Sequence, residues 1–134
     1  MKISLLLLIL ILGLNANDVS IEKKIYEVIF DAVSSKDIPV VYTDVPIASL
    51  ELTTDQFTRT DVCKEADIVI VTKTTIDARC LKKIILGTRY RHLKKPYVLG
   101  AFFWQKGRPN IVFKRKNLIK KRVNLPKSLQ EFVE

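Results

Sequence analysis

Cys63 and Cys80 are the only cysteines of this 134-residue chain, and His92 is its only histidine. One imidazole and two thiols that can pair with each other do not make a four-ligand metal centre, so no metal is assigned. No C-x-x-C spacing occurs, which removes thioredoxin-like redox chemistry. A hydrolytic triad needs an oriented base facing a nucleophile; His92 has no carboxylate near it in sequence, and no G-x-S-x-G elbow is present. With only four glycines there is no phosphate-cradling loop. Asp44, Asp55, Asp61, Glu65 and Asp67 supply carboxylates, but their spacing singles out no acid–base pair. The chain therefore reads as a non-enzyme, without catalytic residues or cofactor.

Two runs carry the chemistry of binding instead. Thr88-Arg89-Tyr90-Arg91-His92-Leu93-Lys94-Lys95 is basic with an aromatic inside it. Placed after a strand, it forms either a loop that grips a carboxylate or phosphate, or a solvated connection whose charges serve solubility. Trp104-Gln105-Lys106-Gly107-Arg108-Pro109 is the second run. Trp and Arg dominate interface hot spots, so Trp104, Lys106 and Arg108 suit a protein-binding tip; the competing reading has Trp104 capping the core beneath a turn. The candidate binding surface is thus Arg89, Tyr90, Arg91, His92, Trp104, Lys106 and Arg108.

The compartment follows from the first residues. Lys2, the Leu/Ile-rich stretch Ile3 to Leu14, and the small residue Ala16 have the layout of a cleavable secretory signal peptide, residues 1–16. The alternative is an uncleaved anchor facing the periplasm, but a spanning helix needs about 20 apolar residues and Asn15, Asn17 and Asp18 intervene. Residues 17–134 then form one domain in the periplasm. The formal charge of +9 loses only Lys2 with the leader. Export removes nucleic acid as a partner, leaving anionic membrane, acidic glycan, an acidic protein patch or plain solubility as the meaning of the charge. The densest basic runs are Arg89–Lys95 and Lys114–Arg122.

The elements that must position these residues read as a small α/β sandwich with a mixed, mainly parallel sheet and a C-terminal hairpin. Ile21, Ile25, Val28, Ile29 and Ala32 recur at helical spacing, which predicts a helix over Val19–Val33. Ile38–Thr43 reads as the first strand, stopped by Pro46; within the weakly patterned Asp44–Thr60, Ala48–Phe57 reads as a helix or an irregular crossover. Asp67–Thr72 and Lys83–Thr88 read as strands buried on both faces, with a helix over Asp77–Leu93 as the competitor for the second. Gly87 disfavours that helix by about 1 kcal/mol. Pro96–Gln105 predicts a central strand, Val98, Gly100, Phe102 and Trp104 facing one way and Leu99, Ala101 and Phe103 the other. A turn at Lys106–Pro109 leads into a hairpin partner, Asn110–Lys114. Leu125, Leu129, Phe132 and Val133 predict a closing amphipathic helix.

Placing the strands makes the cysteines informative. If the strands at Asp67 and Lys83 are parallel neighbours, Cys63 and Cys80 lie at the same end of the sheet, where Cα atoms can approach within about 7 Å. An oxidising compartment favours the disulfide over two buried free thiols.

The order of these segments resembles the YfiR-like family of small periplasmic proteins. The shared layout is Cys63 before Ile68-Val69-Ile70-Val71, then Ile84-Ile85-Leu86-Gly87-Thr88. Gly100-Ala101-Phe102-Phe103-Trp104, its partner Asn110-Ile111-Val112-Phe113, and Val123-Asn124-Leu125 complete it. The resemblance implies a non-enzymatic regulator that restrains a membrane-bound diguanylate cyclase, its partner being the periplasmic domain of an inner-membrane sensor. The alternative expectation is a small periplasmic binding protein for an anionic solute, held by Arg89 and Arg91.

Overall fold

The computed structural model describes residues 18–52, 54–73 and 75–134. The expected signal peptide lies outside the described residues, and none of the described helices is long and apolar enough to cross a membrane. Helix α1 spans Asp18–Val33 and buries Ile21, Ile25, Tyr26, Ile29, Phe30 and Val33. These residues share one broad helical face because positions three and four apart lie on the same side. Lys23 and Glu27 form an i, i+4 pair at 3.4 Å on the outer side.

Six strands follow: β1 Val40–Thr43, β2 Thr58–Arg59, β3 Ile68–Val71, β4 Ile84–Gly87, β5 Gly100–Gln105 and β6 Arg108–Phe113. They form one sheet in the order β2-β1-β3-β4-β5-β6. The first five are parallel, and β6 returns antiparallel along β5 from Gln105↔Arg108 to Gly100↔Phe113. The expected α/β sheet, mainly parallel with a closing hairpin, is therefore present. β3 is buried at all four positions, as expected of a β-branched run covered on both faces.

The two faces are covered unequally. Ile68, Ile70, Leu86 and Phe102 meet α1 together with Leu118, Leu125 and Leu129 from the C-terminal segment. Val69, Val71, Ile85 and Ala101 meet only Cys80, Leu93, Val98 and their neighbours. Those covering residues come from short 3-10 turns at Cys63–Glu65, Ala78–Cys80 and Tyr90–Lys94 and from the segment before β5. No described α-helix contributes a residue to this second cluster, and the Cys63–Cys80 disulfide, whose Cα atoms are 5.9 Å apart, ties two of its covering turns together.

Several boundaries differ from the sequence reading. β4 is a strand, and the competing helix over 77–93 is absent. The strand expected from Pro96 begins at Gly100, because Val98 turns back on the Lys95 carbonyl before Leu99 bonds Ile85. The alternation consequently breaks, and Val98 and Leu99 occupy the faces opposite to those expected. Ile38 is exposed and Pro39 donates no hydrogen bond, so β1 starts at Val40. The segment Ala48–Phe57, expected as a helix or crossover, holds a 3-10 turn at Ala48–Glu51, and the short edge strand β2 follows it. The closing amphipathic helix is a 3-10 turn over Lys127–Phe132, and the α-helix of this region is α2, Arg115–Lys120. The buried Asn117 amide pins α2 by donating to the Val98 carbonyl at 2.7 Å.

Candidate functional site

Parallel strands bring their C-terminal ends to one edge of the sheet, where the loops of an open α/β sheet hold binding groups. Here that edge carries Asp44 after β1, Thr72 after β3, Thr88–His92 after β4 and Trp104–Gln105 at the end of β5. Asp44 is committed to the fold. Its carboxylate accepts from the Thr72 amide (2.9 and 3.0 Å), the Thr72 hydroxyl (2.8 Å) and the Lys73 amide (3.0 Å).

The chain leaving β4 is anchored by the Thr88 hydroxyl, which donates to the Val71 carbonyl at 3.0 Å. The Tyr90–Lys94 turn then folds back and places His92 against Gly87. His92 Nδ1 accepts from the Thr88 and Arg89 amides at 3.0 and 3.3 Å, which assigns the proton to Nε2. That Nε2 is buried and unpartnered among the described residues. Burial, with the charges of Arg91 and Arg89, lowers the His92 pKa against a weaker opposing pull from Asp44. At 2% exposure His92 does not belong to the binding surface expected of it. It is a neutral buried bracket for the β4 turn, its side chain drawn inward by two backbone donors that would otherwise lack partners.

The other expected residues are partly gathered. Arg89, Tyr90, Trp104 and Gln105, with Thr88 and Phe103, line an open groove of about 650 Å³. Tyr90 is 53% exposed and stands edge-on to Phe103, ring centroids 5.9 Å apart. Trp104 is 36% exposed. Its indole N–H donates to Glu22 of α1 at 2.8 Å, and the other Glu22 oxygen accepts from the Ser49 hydroxyl at 2.5 Å. Trp104 thus both packs near Phe102 and presents a ring to the groove. Arg91 is exposed but does not line the groove, so Arg89 and Arg91 do not converge there. Lys106 and Arg108 are exposed at the adjoining hairpin tip, where Lys106 (φ 53°) and Gly107 (φ 74°) make the two-residue turn with positive φ that right-twisted strands favour.

The groove's organiser, Glu22, was not singled out by sequence reasoning. A charged residue on the polar side of a helix carries no signal of a partner 82 residues away. A second group also went unread: Lys36, Lys82, Lys83, Lys121 and Arg122 surround a cleft at the opposite, N-terminal edge of the sheet. The Lys114–Arg122 run marked part of it, but only the parallel topology brings Lys82 and Lys83 beside it.

The disulfide lies at that same N-terminal edge, as the register Ile68↔Ile84 requires. Asp77 lies close to both sulfurs, but these are bonded to each other and offer no thiolate. The Asp77 carboxylate is held at a pKa of about 2 by hydrogen bonds from the Arg79 side chain and amide.

No protein-family model matches the chain, and no curated protein matches it. Among solved structures it is similar to the crystal structure of a conserved domain protein from Vibrio cholerae O1 biovar El Tor strain N16961, with a TM-score of 0.55 and 8% sequence identity. The match covers 88% of this chain and 60% of that one, so the chain spans about 60% of its neighbour's length. At this identity the likeness concerns the fold alone.

Proposed function

We propose that this is an exported, non-enzymatic regulatory domain that works in the periplasm after cleavage behind Ala16. It docks on the periplasmic part of an inner-membrane sensor, such as a diguanylate cyclase, through the groove edge formed by Arg89, Tyr90 and Trp104. The observation that carries this reading is the Trp104–Glu22 hydrogen bond beside Tyr90 and Arg89. Trp, Tyr and Arg are the residue types that concentrate binding energy at interfaces. An indole already fixed by α1 loses little rotamer freedom when a partner covers it. The disulfide supports an oxidising compartment. The resemblance of the strand and cysteine order to the YfiR-like family supports the choice of a cyclase-type sensor.

The test is cyclic di-GMP content in the native host. Deleting the gene is expected to raise it, wild-type protein to restore it, and Trp104→Ala protein to fail at equal periplasmic abundance. Unchanged cyclic di-GMP on deletion removes the cyclase, and full complementation by Trp104→Ala removes the groove edge.

A further inference from the structure

We infer that the cleft at the N-terminal edge of the sheet is an anion site that takes a small molecule bearing a diphosphate group. This cleft has a volume of about 410 Å³. Its walls are the end of α1 (Val33 to Lys36), the entry to β4 (Lys82 to Ile84) and the C-terminus of α2 (Lys121 to Asn124), with Ala66 and Asp67 between them. Five cations line it and only one carboxylate does.

That carboxylate does not oppose an anion. Asp67 is bound by the Lys36 ammonium at 2.8 Å and by the Val40 amide at 2.8 Å, so it is neutralised locally and serves to hold β1 against β3. Lys121 is also committed, donating to the carbonyls of Leu81 (3.1 Å) and Lys83 (3.0 Å). These bonds tie α2 to the segment that follows Cys80 and fix the distance between two walls. Lys82, Lys83 and Arg122 remain; the charge of Lys83 also acts on Asp67, but among the described residues no carboxylate lies within ion-pair distance of any of the three. A phosphomonoester carries about two negative charges at neutral pH, so three cations outside ion pairs exceed one such group and suit a diphosphate. Lysine ammoniums act on phosphate as point charges with three donors each.

Arg122 adds an independent observation. α2 ends in a Schellman arrangement, in which the Val123 amide bonds the Leu118 carbonyl (2.9 Å) and the Arg122 amide bonds that of Ile119 (3.1 Å). The first residue past the helix cap in this motif is left-handed, and Arg122, which occupies that position, has φ 57°. Glycine occupies this position without strain; an arginine there is a conformational penalty held in place by the surrounding structure. Arg122 is exposed and lines the cleft. A strained cation at the mouth of a basic cavity is the arrangement expected when the side chain is needed more than the stability.

The probe is inorganic pyrophosphate, titrated calorimetrically into disulfide-intact protein at low and physiological salt. Saturable binding is expected, weakened by salt. The variant Lys82→Gln/Lys83→Gln/Arg122→Gly is expected to bind at least about tenfold more weakly, because charge-assisted contacts to phosphate are lost. A control, Lys95→Gln/Lys116→Gln/Lys127→Gln, removes equal charge from exposed positions outside the cleft and is expected to bind as wild type. Arg122→Gly as a single substitution is expected to raise the melting midpoint while weakening pyrophosphate, an opposition that loss of folding does not produce. No saturable binding, or equal weakening in the control, overturns the inference. So does binding to phosphatidylglycerol vesicles without binding to pyrophosphate, which assigns the charge to membranes.

Discussion

His92 stands against Gly87 so closely that a Cβ built at residue 87 would lie 2.5 Å from the His92 Cβ and 3.0 Å from its Nδ1. Both the missing side chain at 87 and the imidazole at 92 are therefore parts of one turn. Gly87→Ala is expected to lower stability by about 1–3 kcal/mol, the range for overpacking a tight site. The drop should appear as a lower urea midpoint at unchanged m-value. Since Nδ1 brackets the Thr88 and Arg89 amides, the same substitution should displace Arg89 and Tyr90 from the groove edge.

The same imidazole gives the fold a pH dependence. Burial, with Arg91 and Arg89, holds the folded His92 below its ordinary pKa of 6.5. As pH falls through 6.5 the unfolded chain takes up a proton that the folded chain resists, so the unfolded state binds more protons and stability declines. The decline levels off once the folded imidazole protonates. His92→Gln should flatten this part of the stability curve between pH 7 and pH 5, measured by urea unfolding at fixed salt. A slope equal to wild type would show that other groups set it.

How much of this was legible beforehand depends on the range of the signal. The β-branched run of β3 and the face of α1 are local, and each produced the element expected; the two-sided apolar pattern of β5 produced a strand from Gly100 onward. The disulfide was legible because parallel neighbours put Cys63 and Cys80 at one end. Val98 and Leu99 were misassigned because a Lys95–Val98 turn interrupts the alternation just before Gly100. His92 was misread as surface because basic neighbours suggest exposure, whereas its burial follows from Gly87, five residues earlier. Glu22 beside Trp104, and Lys82 beside Arg122, are juxtapositions made by the sheet order and leave no trace in spacing.

Because no described α-helix contributes a residue to the second core cluster, the disulfide should matter more than its single bond suggests. The bridge has a sequence separation of 17 residues, for which chain entropy gives about 3 kcal/mol. Cys63→Ala/Cys80→Ala is expected to lose about that amount. Hydrogen exchange should rise first in the Ala78–Cys80 turn and the crossover around it, while the α1 amides keep their protection.

At α2 the expected change is a gain. Arg122→Gly should stabilise by about 1 kcal/mol, because the left-handed position no longer carries a Cβ. The measurement is thermal unfolding without added anion, and an unchanged or lower midpoint would mean that the Arg122 side chain contributes packing that offsets its strain.

The groove edge carries the central claim, and site-specific photo-crosslinking in the native host tests it most directly. A photoreactive residue at Gln105, beside Trp104, should trap an inner-membrane protein, and the trapped band should disappear when Trp104→Ala is added. The same probe at Lys127, on the C-terminal turn away from the groove, should trap none. No membrane-protein adduct at Gln105, or an adduct indifferent to Trp104→Ala, would contradict docking through this edge.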